Sequence, residues 1–240
     1  MGQNHLSQIA APKSWKIERK EQKWVTRPMP GSHPLQASMP LSFVIKNLLN
    51  YAKTSKEVNK ILNEGNVQVD KKIRKDYKFG IGLMDILEVI PLGKHFRVLY
   101  KKDGTLSLFE IPAKETKLKP LKIVRKTILK KGAQQITFHD GRNVTAKEKE
   151  MKLNVGDGVI FDLDKKEIIK NMPLEENSLV FLSGGKHVGK LGTIKQIIKA
   201  KNLEKAKVVI QTEGKEYITL MDYAFPVGKD KPEVKIGAEQ

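Results

Sequence analysis

Helical spacing of apolar residues is confined to one stretch of the chain. Leu41, Val44, Ile45, Leu48, Leu49 and Ala52 fall three and four residues apart, which puts them on one face of a helix that Ser42 can cap. A second helix is predicted from Thr54, where Thr54 and Glu57 form a capping box. Val58, Ile61 and Leu62 make its inward face, and Gly65 supplies a left-handed stop. From there the period drops to two. Val67 and Val69 alternate with Gln68 and Asp70, and strands are predicted over 81–89, 95–101, 105–111, 122–129, 134–138, 142–145, 158–163 and 167–170. Four more follow over 178–183, 193–198, 207–211 and 216–220. Asp103-Gly104 and Asp140-Gly141 are hairpin turns of the kind that favours positive φ. In the strand over 122–129, Ile123 and Ile128 are expected inside, with Arg125 and Lys126 at a bend or on opposite faces.

Residues 1–40 carry no such pattern. Pro12, Pro28, Pro30, Pro34 and Pro40 interrupt them, and Lys13, Lys16, Arg19, Lys20, Lys23 and Arg27 outweigh Glu18 and Glu21. This composition predicts an extension that orders only against a partner. Trp15 and Trp24 are unusual there, and either anchor the segment on the protein's own surface or stack on bases. The fold class is therefore α+β, mostly β. The expected organisation is a basic Pro-rich extension (1–40), a helix-pair module (41–93), a central β-rich domain (94–172), a C-terminal β domain (173–228) and a polar tail (229–240).

Charge narrows the function. Among 240 residues, 45 Lys and Arg face 27 Asp and Glu, a net charge of +18. An excess of that size favours a polyanionic partner. The absence of cysteine excludes disulfides, thiolate metal sites and Cys nucleophiles. The longest apolar run, 81–92, is broken by Asp85 and Glu88 and falls short of the roughly 20 residues of a membrane span. The first residues lack the apolar core of a secretory signal, so a cytoplasmic location without membrane contact is expected. His5, His33, His95, His139 and His187 have no metal-ligand spacing, and no nucleophile elbow occurs. The pairs Asp162/Asp164 and Glu148/Glu150 lie in turn-like, charged surroundings. Gly184, Gly189 and Lys190 nearly spell a phosphate-binding loop, but Leu191 replaces the magnesium-binding hydroxyl and Gly192 spoils the helix start. No cofactor, metal, catalytic residue or small-molecule substrate is expected.

Cationic clusters supply the candidate contacts. Lys46 and Lys53 lie opposite the apolar stripe of the first helix, Lys56 and Lys60 share a face of the second, and Lys71, Lys72 and Arg74 follow at a tight turn. The extension offers Lys13, Trp15, Lys16 and Arg27. A run of Lys114, Lys117, Lys119, Lys122, Arg125, Lys126, Lys130 and Lys131 is opposed by Glu115 alone, with Arg125 and Lys126 the central pair. Lys186, His187 and Lys190 occupy a Gly-rich loop. Solvated lysines, or an edge strand guarded against aggregation, are the plainer alternatives.

The order helix, helix, Gly65 stop, Val67-Gln68-Val69, then Lys71-Lys72-Ile73-Arg74 resembles the small RNA-binding module named after bacterial ribosomal protein S-four. The stretch from Val180 through Gly184-Gly185-Lys186-His187-Val188-Gly189-Lys190 to Ile194 resembles a KOW motif, which implies an SH3-like barrel. With Ala10-Ala11-Pro12-Lys13-Ser14-Trp15, Gly82-Leu83-Met84-Asp85-Ile86, Phe96-Arg97-Val98-Leu99-Tyr100 and Thr137-Phe138-His139-Asp140-Gly141-Arg142, the chain resembles the small-subunit ribosomal protein family S-four-e over nearly its whole length. A chain ending soon after Phe225-Pro226-Val227-Gly228 matches the archaeal type. The resemblance implies a non-catalytic, ribosome-associated protein that binds small-subunit rRNA and touches neighbouring small-subunit proteins. The alternatives are an RNA-modifying or assembly factor built on the same module, and a KOW-type transcription elongation factor.

Overall fold

The computed structural model describes residues 4–18, 22–146, 153–198, 204–212, 214–229 and 231–237. They form two units, one of residues 1–100 with 104–117 and the other of residues 101–103 with 118–240. The protein is mostly β, and α-helix among the described residues is confined to two short segments of the first unit.

In the first unit, an antiparallel sheet runs in the order Lys72–Ile73, Val67–Val69, Ile86–Val89, Lys94–Tyr100 and Leu106–Glu110. Val44, Ile45, Val58 and Leu62 from the helical segments share a core with Val67, Val69, Leu87 and Val98 of the sheet. The second helix spans Ser55–Asn63 and starts as its sequence dictates. Glu57 N donates to Thr54 Oγ1 at 3.3 Å, and Glu57 Oε2 accepts from Lys53 N at 2.8 Å and Thr54 N at 3.3 Å. These amide bonds, that of Lys53 first, hold the Glu57 carboxyl below its usual range. The first helix departs from the regular spacing. One turn, Leu41–Phe43, widens into a π-helical segment, Val44–Leu48, and Asn50 ends it at φ 54°. The wider turn brings the consecutive Leu48 and Leu49 together against the core.

The strand expected over 81–89 is two strands. Gly80–Gly82 pairs with Ser38–Pro40, and Ile86–Val89 joins the main sheet. Asp85 makes the break: its Oδ2 accepts from Gly82 N at 2.9 Å and faces His33 Nε2 at 3.0 Å. Glycine is required at 82, because a Cβ there would stand 2.4 Å from the His33 ring.

The described part of the extension is built into this unit rather than waiting for a partner. Leu6–Ser7 pairs with Trp24–Val25, and Leu6, Ala11 and Trp15 enter the core. Trp15 is 4% exposed, stacks on Phe43 at 5.5 Å, and donates from Nε1 to Ser38 O at 2.7 Å. Leu106 N donates to Ser14 O at 2.8 Å. The large indole area outweighs the entropy that Pro-rich, charged sequence otherwise retains.

The second unit holds two antiparallel five-stranded sheets. One runs Asn143–Ala146, Gln134–Phe138, Leu118–Ile128, Gly158–Asp162, Glu167–Met172, and the other Lys215–Leu220, Lys207–Thr212, Leu191–Ile198, Leu179–Leu182, Ala224–Gly228. Leu118–Ile128 pairs first with Gly158–Asp162 and then with Gln134–Phe138, and its register slips between Ile123 and Arg125. The bulge keeps Ile128, opposite Gln134, on the same face as Ile123, opposite Phe138. Ile123 is buried, but Ile128 lies past Ile136, the last buried residue of the neighbouring strand on that face, and is 73% exposed, contrary to the sequence reading. Ala224–Gly228, which the pattern missed, is buried throughout. Pro226 argues against a strand there, and it sits opposite Val180 beside a register shift.

Two lysines of the basic run point inward. Lys119 is fully buried, 3.1 Å from Asp140 Oδ2, which also lies 2.9 Å from Arg142 Nε. Burial works to raise the Asp140 pKa, but Lys119, His139 and Arg142 outweigh it and hold the carboxyl below its usual range. Lys122 Nζ donates to Met221 O at 3.2 Å, Asp222 O at 2.8 Å and Ala224 O at 2.6 Å, tying one sheet to the other. Burial pushes the Lys122 ammonium down to about 8, with the Asp222 carboxylate opposing.

Trp15→Ala is expected to cost about 3–5 kcal/mol in chemical denaturation, as for other buried aromatic truncations. Asp140→Asn leaves the buried Lys119 charge without its carboxylate and is expected to cost about 3–5 kcal/mol at pH 7. Because the folded carboxyl titrates below the unfolded one, its contribution is complete above about pH 4 and vanishes as pH falls through the folded value. The stability gap between wild type and Asp140→Asn, measured by urea melts across pH, therefore narrows in acid.

Candidate nucleic-acid interface

Asp70, Asp85, Asp140, Asp157 and Asp162 are buried, and each accepts at least one backbone amide. Asp70 takes Ile86 N, Asp140 takes Arg142 N, Asp157 takes Asn154 N and Leu174 N, and Asp162 takes Asp164 N and Lys165 N, all at 2.8–3.1 Å. Asp140 is met by Lys119 and Arg142 as well.

On the helix pair, Lys53, Lys56 and Lys60 are exposed and Lys46 is half-buried. Lys56 and Lys60 lie one helical turn apart and share a face. The following hairpin closes on Asp70 and Lys71, both at positive φ (50° and 64°), as a two-residue turn between antiparallel strands requires. Lys72 is exposed beyond it. Lys71 turns back, with Nζ 2.9 Å from Glu88 Oε2 and 3.0 Å from Thr116 Oγ1. Arg74 lies over the Phe79 ring at 4.2 Å. These two cations are therefore committed to the fold as well as half-open to solvent. Of the amino-terminal candidates, Lys13 and Lys16 are exposed and Arg27 is half-buried, whereas Trp15 is removed from any surface by its burial.

In the second unit, Arg125 and Lys126 follow the bulge and are exposed, with Lys126 Nζ 3.2 Å from Leu153 O. The Gly-rich loop between Leu179–Leu182 and Leu191–Ile198 rests on two rings that the sequence reading did not single out. The His187 ring lies 3.9 Å from that of Tyr217, and Lys190 Nζ lies 5.2 Å from the Tyr217 centroid. Tyr223 packs so closely on Gly184 that a Cβ there would come within 2.7 Å of the ring. Lys186 is exposed at the tip. Desolvation, then Lys190 and Lys186, lower the His187 pKa, so the imidazole is neutral at pH 7. Nothing in the local pattern marks Tyr217 or Tyr223 as partners, because they reach the loop from a different hairpin.

Arg19, Lys20, Glu148 and Glu150 lie outside the described residues. Among the described residues, no group of three or more His, Cys, Asp or Glu could hold a metal ion, and no helix is long and apolar enough to cross a membrane.

The model of Ribosomal family S4e matches residues 92–168, and that of the RS4NT (NUC023) domain matches residues 1–36. Small ribosomal subunit protein eS4 of Staphylothermus marinus is 38% identical, covering 98% of this chain and 96% of the relative. Its counterpart in Methanothermobacter thermautotrophicus is 37% identical, covering 97% of this chain and 95% of the relative. The crystal structure of the 30S ribosomal protein S4e from Thermoplasma acidophilum superposes with a TM-score of 0.69 at 27% identity, over 81% of this chain and 96% of that one. Similarity spread over nearly the whole length, on the same β-rich fold, carries the conclusion that the chain belongs to the ribosomal S4e family.

Proposed function

We propose that this protein is a structural, non-catalytic constituent of the small ribosomal subunit, of the archaeal type, that binds small-subunit rRNA in the cytoplasm and packs beside other small-subunit proteins. The observation that carries the reading is its identity of 38% across 98% of the chain to a small ribosomal subunit protein. The outward sorting of lysines supports it independently. The proposed contacts are Lys13, Lys16, Arg27, Lys46, Lys53, Lys56, Lys60, Lys72, Arg125, Lys126, Lys186 and Lys190, with Lys71, Arg74 and His187 shaping the surface between them. The module over 41–93 and the KOW-like loop are proposed as separate footholds on folded RNA. Phosphate neutralisation releases condensed counterions, and the shape of the RNA rather than its sequence sets specificity.

The test is sedimentation of native lysate through a sucrose gradient at low and moderate salt. Stoichiometric co-migration with the small subunit after the wash is expected. Presence only on immature particles would make it an assembly factor, and co-purification with RNA polymerase would make it a transcription factor.

A second measurement separates surface cations from interior ones. Arg125→Gln and Lys126→Gln should each reduce the slope of log affinity against log salt on folded rRNA by about 1. Lys122→Met should leave the slope unchanged, because its ammonium faces carbonyls. His187→Gln should also leave it unchanged at pH 7.5, because the neutral ring displaces no counterion.

A further inference from the structure

The chain has two tryptophans in opposite situations. Trp15 is 4% exposed, and Trp24 is 52% exposed. The pairing of Leu6–Ser7 with Trp24–Val25 explains the difference. Leu6 opposite Val25 faces the core, so Ser7 opposite Trp24 faces solvent. Leaving most of an indole in water forfeits burial that Trp15 obtains a few residues away.

The exposed ring is nevertheless held in place. The His5 ring lies 5.4 Å from it, tilted at 52°, and Lys23 Nζ lies 5.5 Å from its centroid. Gln8, 5% exposed, braces the hairpin beneath. Its backbone N donates to Lys23 O at 3.1 Å, its side-chain oxygen accepts from Gln22 N at 3.3 Å, and its side-chain amide donates to Glu18 O. On the other side Trp15 pins the same segment into the core. A large aromatic ring, half exposed and covered in part by an imidazole and by a long, flexible lysine lying over it, is thus presented on a stretch whose described charges are Lys13, Lys16, Lys23 and Arg27 against Glu18.

We propose that Trp24 is a stacking platform for an unpaired RNA base, with the Lys23 ammonium, which lies over the ring in the free protein, swinging aside to meet the adjoining phosphate. This rests on the RNA-binding reading above and adds to it a residue and a ligand class. Stacking on an aromatic ring suits any base because every base has a π-face, and a cation beside the ring suits the phosphate that follows. Bases in a duplex hide those faces, so the ligand is a single-stranded loop, bulge or end. A protein partner would instead find the apolar ring ringed by like charges. Ile9, at 81% exposure, adds apolar area on the same segment without changing that sign.

The two tryptophans make the test direct. The full-length protein is titrated with an unstructured twelve-nucleotide RNA and with a duplex of the same length, following tryptophan fluorescence. The single strand is expected to quench wild type saturably. Trp24→Phe should abolish the quenching, since buried Trp15 does not report, yet keep affinity within a few-fold. Trp24→Ala should weaken single-strand binding roughly 5- to 150-fold, the range of one base–aromatic stack, and leave duplex binding unchanged. Trp24 is exposed, so neither variant should shift the urea midpoint. If the protein binds folded rRNA while its fluorescence stays unmoved, or if Trp24→Ala weakens single strand and duplex alike, the platform is wrong and the ribosomal reading stands. If no RNA is bound at all, both fall.

Discussion

Carboxylate acceptance of backbone amides at turns is the interaction on which this molecule depends. Asp70, Asp157 and Asp162 are buried and accept main-chain N–H groups. A hydrogen bond to a charged group contributes about 1.5–3 kcal/mol, so one or two amides go far toward offsetting the desolvation of a carboxylate. Each aspartate so placed ties its own segment to the backbone whose amide it accepts.

The exceptions support this account. Lys119, Lys122 and Lys71 turn inward, and each stands where backbone amides alone do not close the structure. Lys119 and Arg142 neutralise Asp140 at a hairpin. Lys122 gathers three carbonyls from 221–224. Lys71 joins Glu88 to Thr116. Arg97, fully buried, does the same with Glu115 at 3.1 Å, and its pKa is lowered by burial against that carboxylate. Interior cations of this kind hold strands at set positions.

What the sequence disclosed divides along the distance over which each feature is decided. The second helix was legible because its capping box, apolar face and Gly65 stop lie within about a dozen residues. The hairpins at 103–104 and 140–141 were legible for the same reason. Trp15 was not, because its partners Ser38 and Phe43 are supplied by other elements and local composition spoke for disorder. Ile128 was misplaced because the buried face of this sheet stops at Ile136, and no residue type announces where a core ends. The run from Lys114 to Lys131 looked like one cationic face. Partners from other elements divide it: Lys119 is met by Asp140 and Lys122 by the 221–224 carbonyls, while Arg125 and Lys126 are exposed. The family was legible all the same, since short segments dispersed along the chain carry it and do not depend on where any one side chain points.

A net charge of +18 couples the stability of the protein to a polyanionic ligand. Exposed lysines repel one another across strands and helix faces, and the free protein bears that cost. Salt screens the repulsion over a Debye length of about 10 Å at 0.1 M, and bound phosphate relieves it more fully because the charge is placed against specific residues. Ions thus act in opposite directions on the two equilibria, favouring the free fold while competing with RNA for its surface. RNA binding is then linked to folding by mass action, since the phosphate-binding surface exists only in the folded state.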